Sequence, residues 1–331
     1  MKAVVLTRFG PPEVLQLQDI ADPTPGEHEV LIRVRATTAS AGDCELRGLK
    51  LPLPFRLAFR IYAGLHPEKL ILGQEIAGDI KAVGSAVTRF REGDAVFGWT
   101  GFGLGGYAEY TCLRETAVLA SKPANLTYEE AAPLVVGGLE AAYFLRRAHV
   151  ESGERILIVG AGGSIGTFAV QMARSLGAQV TAVDRAGKLQ MLRSIGADRV
   201  IDMRDDFLER GETYDILFDI PGKVAFPRGV KRLAPGGRFL LANPPVSQMI
   251  FGGRTAGKNG PQVIRWRSRT RAEYADDLRF LNDLVEAGRV RSVIDRTYPL
   301  EKAAEAHEYV DSGEKKGSVV LQVNPGSSLD P

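Results

Sequence analysis

The sequence predicts an α/β protein in which a β-rich domain accompanies a domain built on a doubly wound parallel sheet. Before Lys122, short β-rich runs such as EVLIRVRATTAS and DAVFGW are separated by Gly, Pro and Asp turns. After Lys122, continuous apolar runs alternate with amphipathic segments, as in a parallel sheet covered by helices on both faces. A glycine-rich turn directly follows the apolar run RILIVG.

Length and composition fit this fold class. The chain has 331 residues, enough for two domains, with 44% hydrophobic and 25% charged residues. Its net charge of +2 is too small to indicate a nucleic-acid or membrane partner. Two cysteines, Cys44 and Cys112, give no disulfide framework, and the apolar run at residues 3–6 is too short for a signal peptide. We expect a soluble cytoplasmic protein.

Local signals place the helices. Pro54 opens a short helix that would carry Arg56 and Arg60 on one face and aromatic residues on another. Thr127 followed by Glu130 is a capping box that begins a further helix. Other helices are expected over residues 165–176, up to 191, around 230, over 271–287 and over 303–310.

The turn after RILIVG matches a dinucleotide-binding fingerprint. Ala161, Gly163 and Gly166 stand at the positions of G-x-G-x-x-G, between a strand and a helix. Small residues there allow a tight turn, a close approach of a pyrophosphate, and close packing of helix on strand. Asp184 ends the next strand, 18 residues after Gly166. The predicted cofactor-binding residues are Ala161, Gly162, Gly163, Ser164, Ile165, Gly166, Asp184, Arg185, Lys188 and Asn243.

Asp184 also bears on which cofactor binds. A carboxylate at this position accepts hydrogen bonds from the adenosine ribose and repels a 2′-phosphate. Arg185 and Lys188 follow it and could attract that phosphate instead. The sequence favours NADH over NADPH and leaves NADPH as the alternative.

The same turn has a competing interpretation. GGSIG also fits the G-x-S-x-G nucleophile elbow of hydrolases, with Ser164 as nucleophile. A hydrolase needs a downstream histidine on a loop, and the one available, His307, lies in the predicted helix EKAAEAHEYV. No HGGG-like oxyanion loop precedes the turn. Dinucleotide binding is therefore preferred.

The stretch LILGQEIAG places Gln74 and Glu75 side by side where an apolar strand is interrupted. Together with VGAGGSIG, GGYAEY and LAPGGRFL, it makes the chain resemble the medium-chain dehydrogenase/reductase superfamily from MKAVVL to GSVVLQV. In that superfamily's zinc alcohol dehydrogenases, the segment reads G-H-E-x-x-G, and the histidine binds catalytic zinc. By this resemblance the three ligand positions fall on Ser40, Gln74 and a residue near Val136, none of which is a good zinc ligand.

The resemblance implies the zinc-free branch, which is similar to quinone oxidoreductases and to enone or enoyl reductases. It implies a GroES-like domain at residues 1–125 with 270–331, a Rossmann domain at 126–269, and an active site in the cleft between them. A small carbonyl or quinone substrate and a homodimer are further expectations. Metal binding by a rearranged set of Cys44, Cys112 and His66 is the disfavoured alternative.

Without zinc, an oxygen that gains charge needs hydrogen-bond donors. The catalytic candidates are Ser40, Gln74 and Tyr62, with Tyr107 as a further donor. The Gln74 amide either contacts the substrate or holds the chain together where the strand is interrupted, and both options stay open. Asp43 and Glu75 are expected to brace the site by pairing with a base such as Arg47.

Two further positions invite interpretation. The family often has a small residue or threonine near the nicotinamide, where Glu140 aligns here. The run RWRSRTR places Arg265, Arg267, Arg269 and Arg271 on one face of an extended segment, which an edge strand protected by charge explains better than a nucleic-acid surface.

The function expected from these observations is the NAD(P)H-dependent, zinc-independent reduction of a quinone or of an activated C=C bond. The alternatives are a non-catalytic dinucleotide-binding protein and the Ser164 hydrolase.

Overall fold

The structure, a computed structural model, describes residues 1–63, 70–209, 211–244 and 260–323. The side chains at positions 54, 62, 63 and 102 lie outside that description. Residue contacts divide the chain into two compact units, Met1–Val136 with Ile294–Pro331, and Gly137–Val293. The expected α/β architecture is confirmed, with a first unit built on mainly antiparallel sheets and a second built on a parallel sheet.

These limits differ from the expected domain boundaries at residues 125 and 269. Residues 126–136 stay with the first unit, because the Tyr128 hydroxyl donates to Asp79 and Gln322 Nε2 donates to Glu129 over 2.8 Å. Residues 270–293 belong to the second unit, and the helix within them packs Leu281 against Gly138.

The strands and helices follow in chain order. The strands are β1 Lys2–Leu6, β2 Leu15–Asp19, β3 Glu29–Thr38, β4 Leu70–Ile71, β5 Glu75–Val83, β6 Ala95–Trp99, β7 Tyr110–Arg114, β8 Leu119–Ser121, β9 Arg155–Val159, β10 Gln179–Asp184, β11 Arg199–Asp202, β12 Tyr214–Asp219, β13 Leu233–Leu241, β14 Gln262–Arg265, β15 Ile294–Pro299 and β16 Ser318–Gln322. The helices are α1 Ala41–Gly48, α2 Leu53–Ala63, α3 Tyr128–Ala131, α4 Val136–Arg147, α5 Ser164–Ser175, α6 Leu189–Ser194, α7 Phe226–Val230, α8 Arg271–Glu286 and α9 Ala303–Ser312.

The first unit is built on two sheets. One has the order β2-β1-β4, and the other has the order β15-β16-β3-β5-β6-β8, with β7 pairing with β3. β16 pairs antiparallel with β3, with Val320 opposite Thr38, so the last strand completes the N-terminal sheet. The apolar residues of β3, β5 and β16 form a continuous core.

The second unit is a parallel sheet with the strand order β11-β10-β9-β12-β13-β14. Its strands read as apolar runs because helices cover both faces. The strand order reverses between β9 and β12, and in such sheets ligands bind outside the carboxyl ends of the strands at that point. The glycine turn after β9 lies at this position.

The local signals in the sequence marked these helices closely. Thr127 and Glu130 form the capping box, with each side chain accepting the other residue's backbone N–H. Helix α2 begins just before Pro54, and α5, α8 and α9 lie within two residues of the expected limits. No helix among the described residues is long and apolar enough to span a membrane.

The arginine run is not an extended, solvent-facing edge as a whole. β14 is the last strand in the order and ends at Arg265. Arg269 lies beyond it, and its side chain is only 2% exposed, with the guanidinium over the rings of Tyr143 and Tyr274. The prediction of one charged face was wrong for Arg269, because its guanidinium is buried in ion pairs with Glu140 and Asp277.

Candidate functional site

The corner between β4 and β5 depends on Gly73. Its φ is +96°, and a Cβ there would lie 2.6 Å from the Tyr107 ring and 2.8 Å from the Gly106 backbone. Its carbonyl accepts from the Gly106 N–H (3.0 Å) and from the Thr100 hydroxyl (2.9 Å). Only glycine fits this backbone conformation and space together, so the break in LILGQEIAG is a fixed structural feature.

Ser40 is the N-cap of α1. Its Oγ accepts from the Asp43 N–H (3.1 Å) and donates to Asp43 Oδ2 (2.6 Å). The single hydroxyl proton of Ser40 is therefore directed at Asp43. The Gly73 N–H also donates to Asp43, over 3.2 Å. Burial nevertheless raises the pKa of Asp43 to about 6, against these hydrogen bonds.

Glu75 is buried beside the corner and is held by neighbouring donors. It accepts from the Thr38 hydroxyl, and its Oε1 accepts from the Val136 N–H over 2.6 Å. Arg47, the base expected to pair with Asp43 or Glu75, instead donates to Asp311 (2.5 Å) and to the Gly10 carbonyl. The expectation was wrong for Arg47, because its guanidinium pairs with Asp311 instead.

Gln74 differs from these neighbours. Its backbone carbonyl accepts from the Thr100 N–H over 3.0 Å, but its half-buried side chain makes no hydrogen bond within the described ranges. Its Nε2 lies where a Cβ on Gly42 would come within 3.2 Å. Asp43, Glu75 and Thr100 hold the corner without the Gln74 amide, so that amide is available to a ligand.

The remaining donor candidates are placed differently. Tyr62 lies on α2, but its side chain lies outside the description. Tyr107 is fully buried, with its hydroxyl 3.1 Å from the Thr38 carbonyl and 2.8 Å from His307 Nε2. Burial raises its pKa well above the ordinary tyrosine value. A hydroxyl engaged this way in the core is a poor donor to substrate.

Sequence reasoning missed a buried polar cluster around His307. Its Nδ1 lies 3.3 Å from the Cys44 sulfur, and its Nε2 lies beside Tyr107. Burial lowers the pKa of His307 to about 3, and it raises the pKa of Cys44 to about 12. Cys44 and His307 are 263 positions apart, and no local pattern links them. Both ring nitrogens of His307 have partners, so neither can serve as base to a nucleophilic serine.

The three positions at which relatives would bind zinc carry a hydroxyl, an amide and an aliphatic side chain. Ser40 donates to Asp43, and the Val136 N–H is bound by Glu75. The described ranges contain no group of three or more His, Cys, Asp or Glu residues able to hold a metal ion. Cys44 is buried against His307, and His66 lies outside the described residues. The residues at these positions do not fit zinc.

The glycine turn of the second unit fits a dinucleotide. A Cβ on Gly166 would lie 2.5 Å from the Ala161 backbone, so this glycine lets α5 approach β9 closely. A Cβ on Gly163 would meet nothing nearer than the Gly160 carbonyl, at 3.6 Å. Gly163 is the N-cap of α5, without a side-chain cap. Gly163 thus leaves room for a ligand to approach the backbone at the N-terminus of α5, which begins at Ser164 and Ile165, as a pyrophosphate would.

Asp184 lies at the end of β10 and is only 5% exposed. Its Oδ2 accepts from the Gly162 N–H (2.7 Å), and its Oδ1 accepts from the Arg185 N–H (2.8 Å). The ammonium of buried Lys188 lies 3.5 Å from Oδ1. Arg185 is exposed. The Asp184 carboxylate thus holds the glycine turn in place through these two backbone N–H groups.

Asn243 follows β13 at the same edge of the sheet. Its Nδ2 donates to the Ile220 carbonyl, just after β12, over 3.0 Å. Its amide oxygen makes no hydrogen bond with another described residue. The predicted cofactor residues of the second unit therefore come from the carboxyl ends of β9, β10 and β13.

Glu140 on α4 is paired, and does not present a free carboxylate. Arg269 donates to its Oε1 and also to Asp277 Oδ2, over 3.2 Å. Burial raises the pKa of Glu140, whereas the Arg269 guanidinium acts to lower it. A nicotinamide ring bound near Glu140 would therefore lie beside a carboxylate that is paired with Arg269.

Comparison with known protein families agrees with this architecture. The family described as "Alcohol dehydrogenase GroES-like domain" matches residues 26–124, and the family described as "Zinc-binding dehydrogenase" matches residues 195–321. The second description names a metal for which the positions of Ser40, Gln74 and Val136 offer no ligands.

Individual proteins are similar along almost the whole chain. The quinone oxidoreductase of Pseudomonas aeruginosa is 32% identical over 97% of this chain and 99% of its own. The 2-methylene-furan-3-one reductase of Solanum lycopersicum is 31% identical over 98% of this chain and 80% of its own. The solved structure of the quinone oxidoreductase from Coxiella burnetii superposes with a TM-score of 0.85, at 26% identity, over 98% of this chain and 99% of that one.

Proposed function

The chain belongs to the medium-chain dehydrogenase/reductase superfamily, and from that premise we propose that it is an NAD(P)H-dependent oxidoreductase that reduces a quinone or the activated C=C bond of an enone or enal. Relatives named quinone oxidoreductase and 2-methylene-furan-3-one reductase act on substrates of these classes. The proposed partner is thus a small molecule with a conjugated oxygen, and the proposed assembly is a homodimer.

The observation that carries this proposal is the unpaired amide of Gln74 in a corner without zinc ligands. Within the described ranges, the side chains around it are engaged with one another, and the Gln74 amide is not. Its two N–H donors can stabilise an oxygen that gains negative charge, which is the role of a donor in an oxyanion hole. We propose that the reaction proceeds without zinc.

A quinone or enone suits such a site better than a simple alcohol does. Oxidising an alcohol is helped by stabilising the alkoxide that forms on its oxygen, which zinc does in metal-dependent enzymes. In a conjugated substrate, charge spreads from the attacked carbon to an oxygen several bonds away. Hydrogen-bond donors are sufficient there, so Gln74 can bind and orient that oxygen.

The glycine turn would hold the cofactor. The N-terminus of α5 would bind the pyrophosphate, with Gly163 leaving room for it. When bound, NAD(P)H supplies the hydride. Asp184 would accept from the adenosine ribose with the lone pairs that Gly162 and Arg185 leave free.

We propose a preference for NADH. Asp184 places a carboxylate where a 2′-phosphate would have to approach. Lys188 lies 3.5 Å from that carboxylate and is partly neutralised by it, which reduces its attraction for a phosphate. Arg185 is the exposed cation that could still favour NADPH.

The test is a screen of NADH and NADPH oxidation against quinones, enones and enals, with saturated ketones as controls. The proposal expects turnover with at least one conjugated class and little with the saturated ketones. Tight cofactor binding without turnover on any conjugated class would instead support a non-catalytic dinucleotide-binding protein.

A further inference from the structure

Helix α2 carries an aliphatic stripe that points to solvent. Leu53, Leu57 and Ile61 are 67%, 60% and 72% exposed. They are four positions apart, so they share one face of the helix. The helix is anchored through a different face, where Phe59 packs edge-on against Phe9 with ring centroids 6.0 Å apart.

Positive charge runs along one side of this stripe. Arg56 and Arg60 each precede a stripe residue by one position, and both are exposed. No acidic residue occurs in the helix, whose sequence is LPFRLAFRIYA. Lys50, just before the helix, is paired with Asp311 over 3.5 Å, so the charge beside the stripe comes from the two arginines. The result is a basic amphipathic helix with its apolar face uncovered in this structure.

We propose that α2 docks on the surface of an anionic lipid bilayer. The stripe of Leu53, Leu57 and Ile61 would enter the boundary between headgroups and acyl chains, and Arg56 and Arg60 would contact lipid phosphates. Helices of this type bind through buried apolar area together with attraction to anionic lipids. The net charge of +2, which argued against a membrane partner, describes the whole chain and not this helix.

The charges distinguish this occupant from a second copy of the chain. An antiparallel symmetric contact between two α2 helices would bring Arg56 and Arg60 of one copy against those of the other, with no acid on the helix to compensate. A bilayer rich in anionic lipid supplies the opposite charge along the whole stripe. Three aliphatic side chains make the docking weak and reversible. It does not depend on the reaction proposed above.

Co-sedimentation of the full chain with lipid vesicles tests this docking. We expect binding to vesicles of phosphatidylglycerol and phosphatidylcholine, much weaker binding to phosphatidylcholine alone, and loss of binding at high salt. The double variant Leu57→Gln with Ile61→Gln should lower the partition coefficient about 10-fold or more. The double variant Arg56→Gln with Arg60→Gln should lower it about fivefold for each arginine.

Leu17→Gln is the matched control, because Leu17 is an exposed leucine of the same unit, on β2. It should bind vesicles as the wild type does, and all these variants should melt as the wild type does, since every substituted side chain faces solvent. The proposal is overturned by no binding to anionic vesicles, by equal binding to both lipid compositions, or by unchanged binding of both double variants. A dimer that dissociates in the Leu57→Gln, Ile61→Gln variant, without lipid binding by the wild type, would show instead that a second copy covers this face.

Discussion

The backbone N–H of Gly162 donates to Asp184 Oδ2 over 2.7 Å. The carboxylate expected to recognise the adenosine ribose is therefore also a brace of the glycine turn. A Cβ on Gly162 would meet Lys188 Cδ at 2.5 Å and Asp184 Oδ2 at 3.1 Å, so both side chains pack closely against this glycine. Changes at Asp184 should consequently affect both stability and cofactor choice.

The first prediction concerns that choice. The wild type should bind NADH more tightly than NADPH, and Asp184→Ser should narrow or reverse this order by removing the charge that repels a 2′-phosphate. Dissociation constants for both cofactors, measured by fluorescence titration, test it.

The matched control for this variant is Asp198→Ser. Asp198 also accepts a backbone N–H, that of Val180 over 2.7 Å, and it lies just before β11, the strand next to β10. It should lower stability without changing the cofactor order. A wild type that clearly prefers NADPH would contradict the proposed role of Asp184 and assign the dominant contact to Arg185 and Lys188.

A second prediction concerns the buried pair of Glu140 and Arg269. Glu140→Gln would leave the Arg269 guanidinium with Asp277 as its remaining carboxylate, so the free energy of unfolding should fall by about 1–3 kcal/mol. Asp276→Asn removes an exposed partner of Arg279 on α8 and should change it by less than about 0.5 kcal/mol. Urea unfolding of both variants measures the difference. Equal small effects would show that the buried pair contributes nothing net.

The third prediction follows from the buried His307. In the folded protein its pKa is lowered to about 3 by burial and by Arg47, with Asp311 opposing the shift, whereas an unfolded histidine binds its proton below about 6.5. The unfolded state therefore gains protons first as the pH falls. The contribution of His307 to stability should be complete above pH 6.5 and should decline towards pH 3, by up to about 1.4 kcal/mol per pH unit.

Comparison with His307→Gln isolates this contribution. The difference in unfolding free energy between wild type and variant should shrink as the pH falls from about 7 to about 4.5. Asp43, whose pKa is raised to about 6, has the opposite pH dependence, but it is present in both proteins and its effect cancels. A difference that stays constant with pH would mean that His307 is not held neutral.

Much of the fold could be predicted from local sequence patterns. The capping box of Thr127 and the glycine pattern before α5 are set by neighbouring residues, so they could be predicted before any tertiary contact was known. The pairing of β16 with β3 joins residues almost 300 positions apart, and only the resemblance to a family predicted it.

The pairing of side chains that are distant in sequence was harder to predict. Arg269 looked like a surface charge because nothing near it in sequence reveals Glu140, 129 positions away. The sequence likewise does not show that Arg47 pairs with Asp311, 264 positions away, whereas Ser40 and Thr38 donate to Asp43 and Glu75. Burial decides such partners, and burial depends on the complete fold.

The fourth prediction separates the two roles of Gln74. If its amide stabilises the substrate oxygen, Gln74→Leu should lower turnover by up to ~10²-fold, as the loss of an oxyanion donor does, with little change in melting temperature. If the amide only braces the corner, stability should fall by about 1–3 kcal/mol and turnover should survive. Gln18→Leu, an exposed glutamine on β2, is the control for the chemical change alone. Steady-state kinetics and a melting curve on each variant separate these outcomes.

The most direct test of the central claim is the NADH-dependent reduction of quinones, enones and enals, measured on the same sample before and after exhaustive treatment with a metal chelator. With Ser40, Gln74 and Val136 at the family's ligand positions, we expect turnover on at least one of these substrate classes and the same rate after chelation. A rate that chelation abolishes and added zinc restores, or no turnover on any of them, would contradict a zinc-independent quinone or enone reductase.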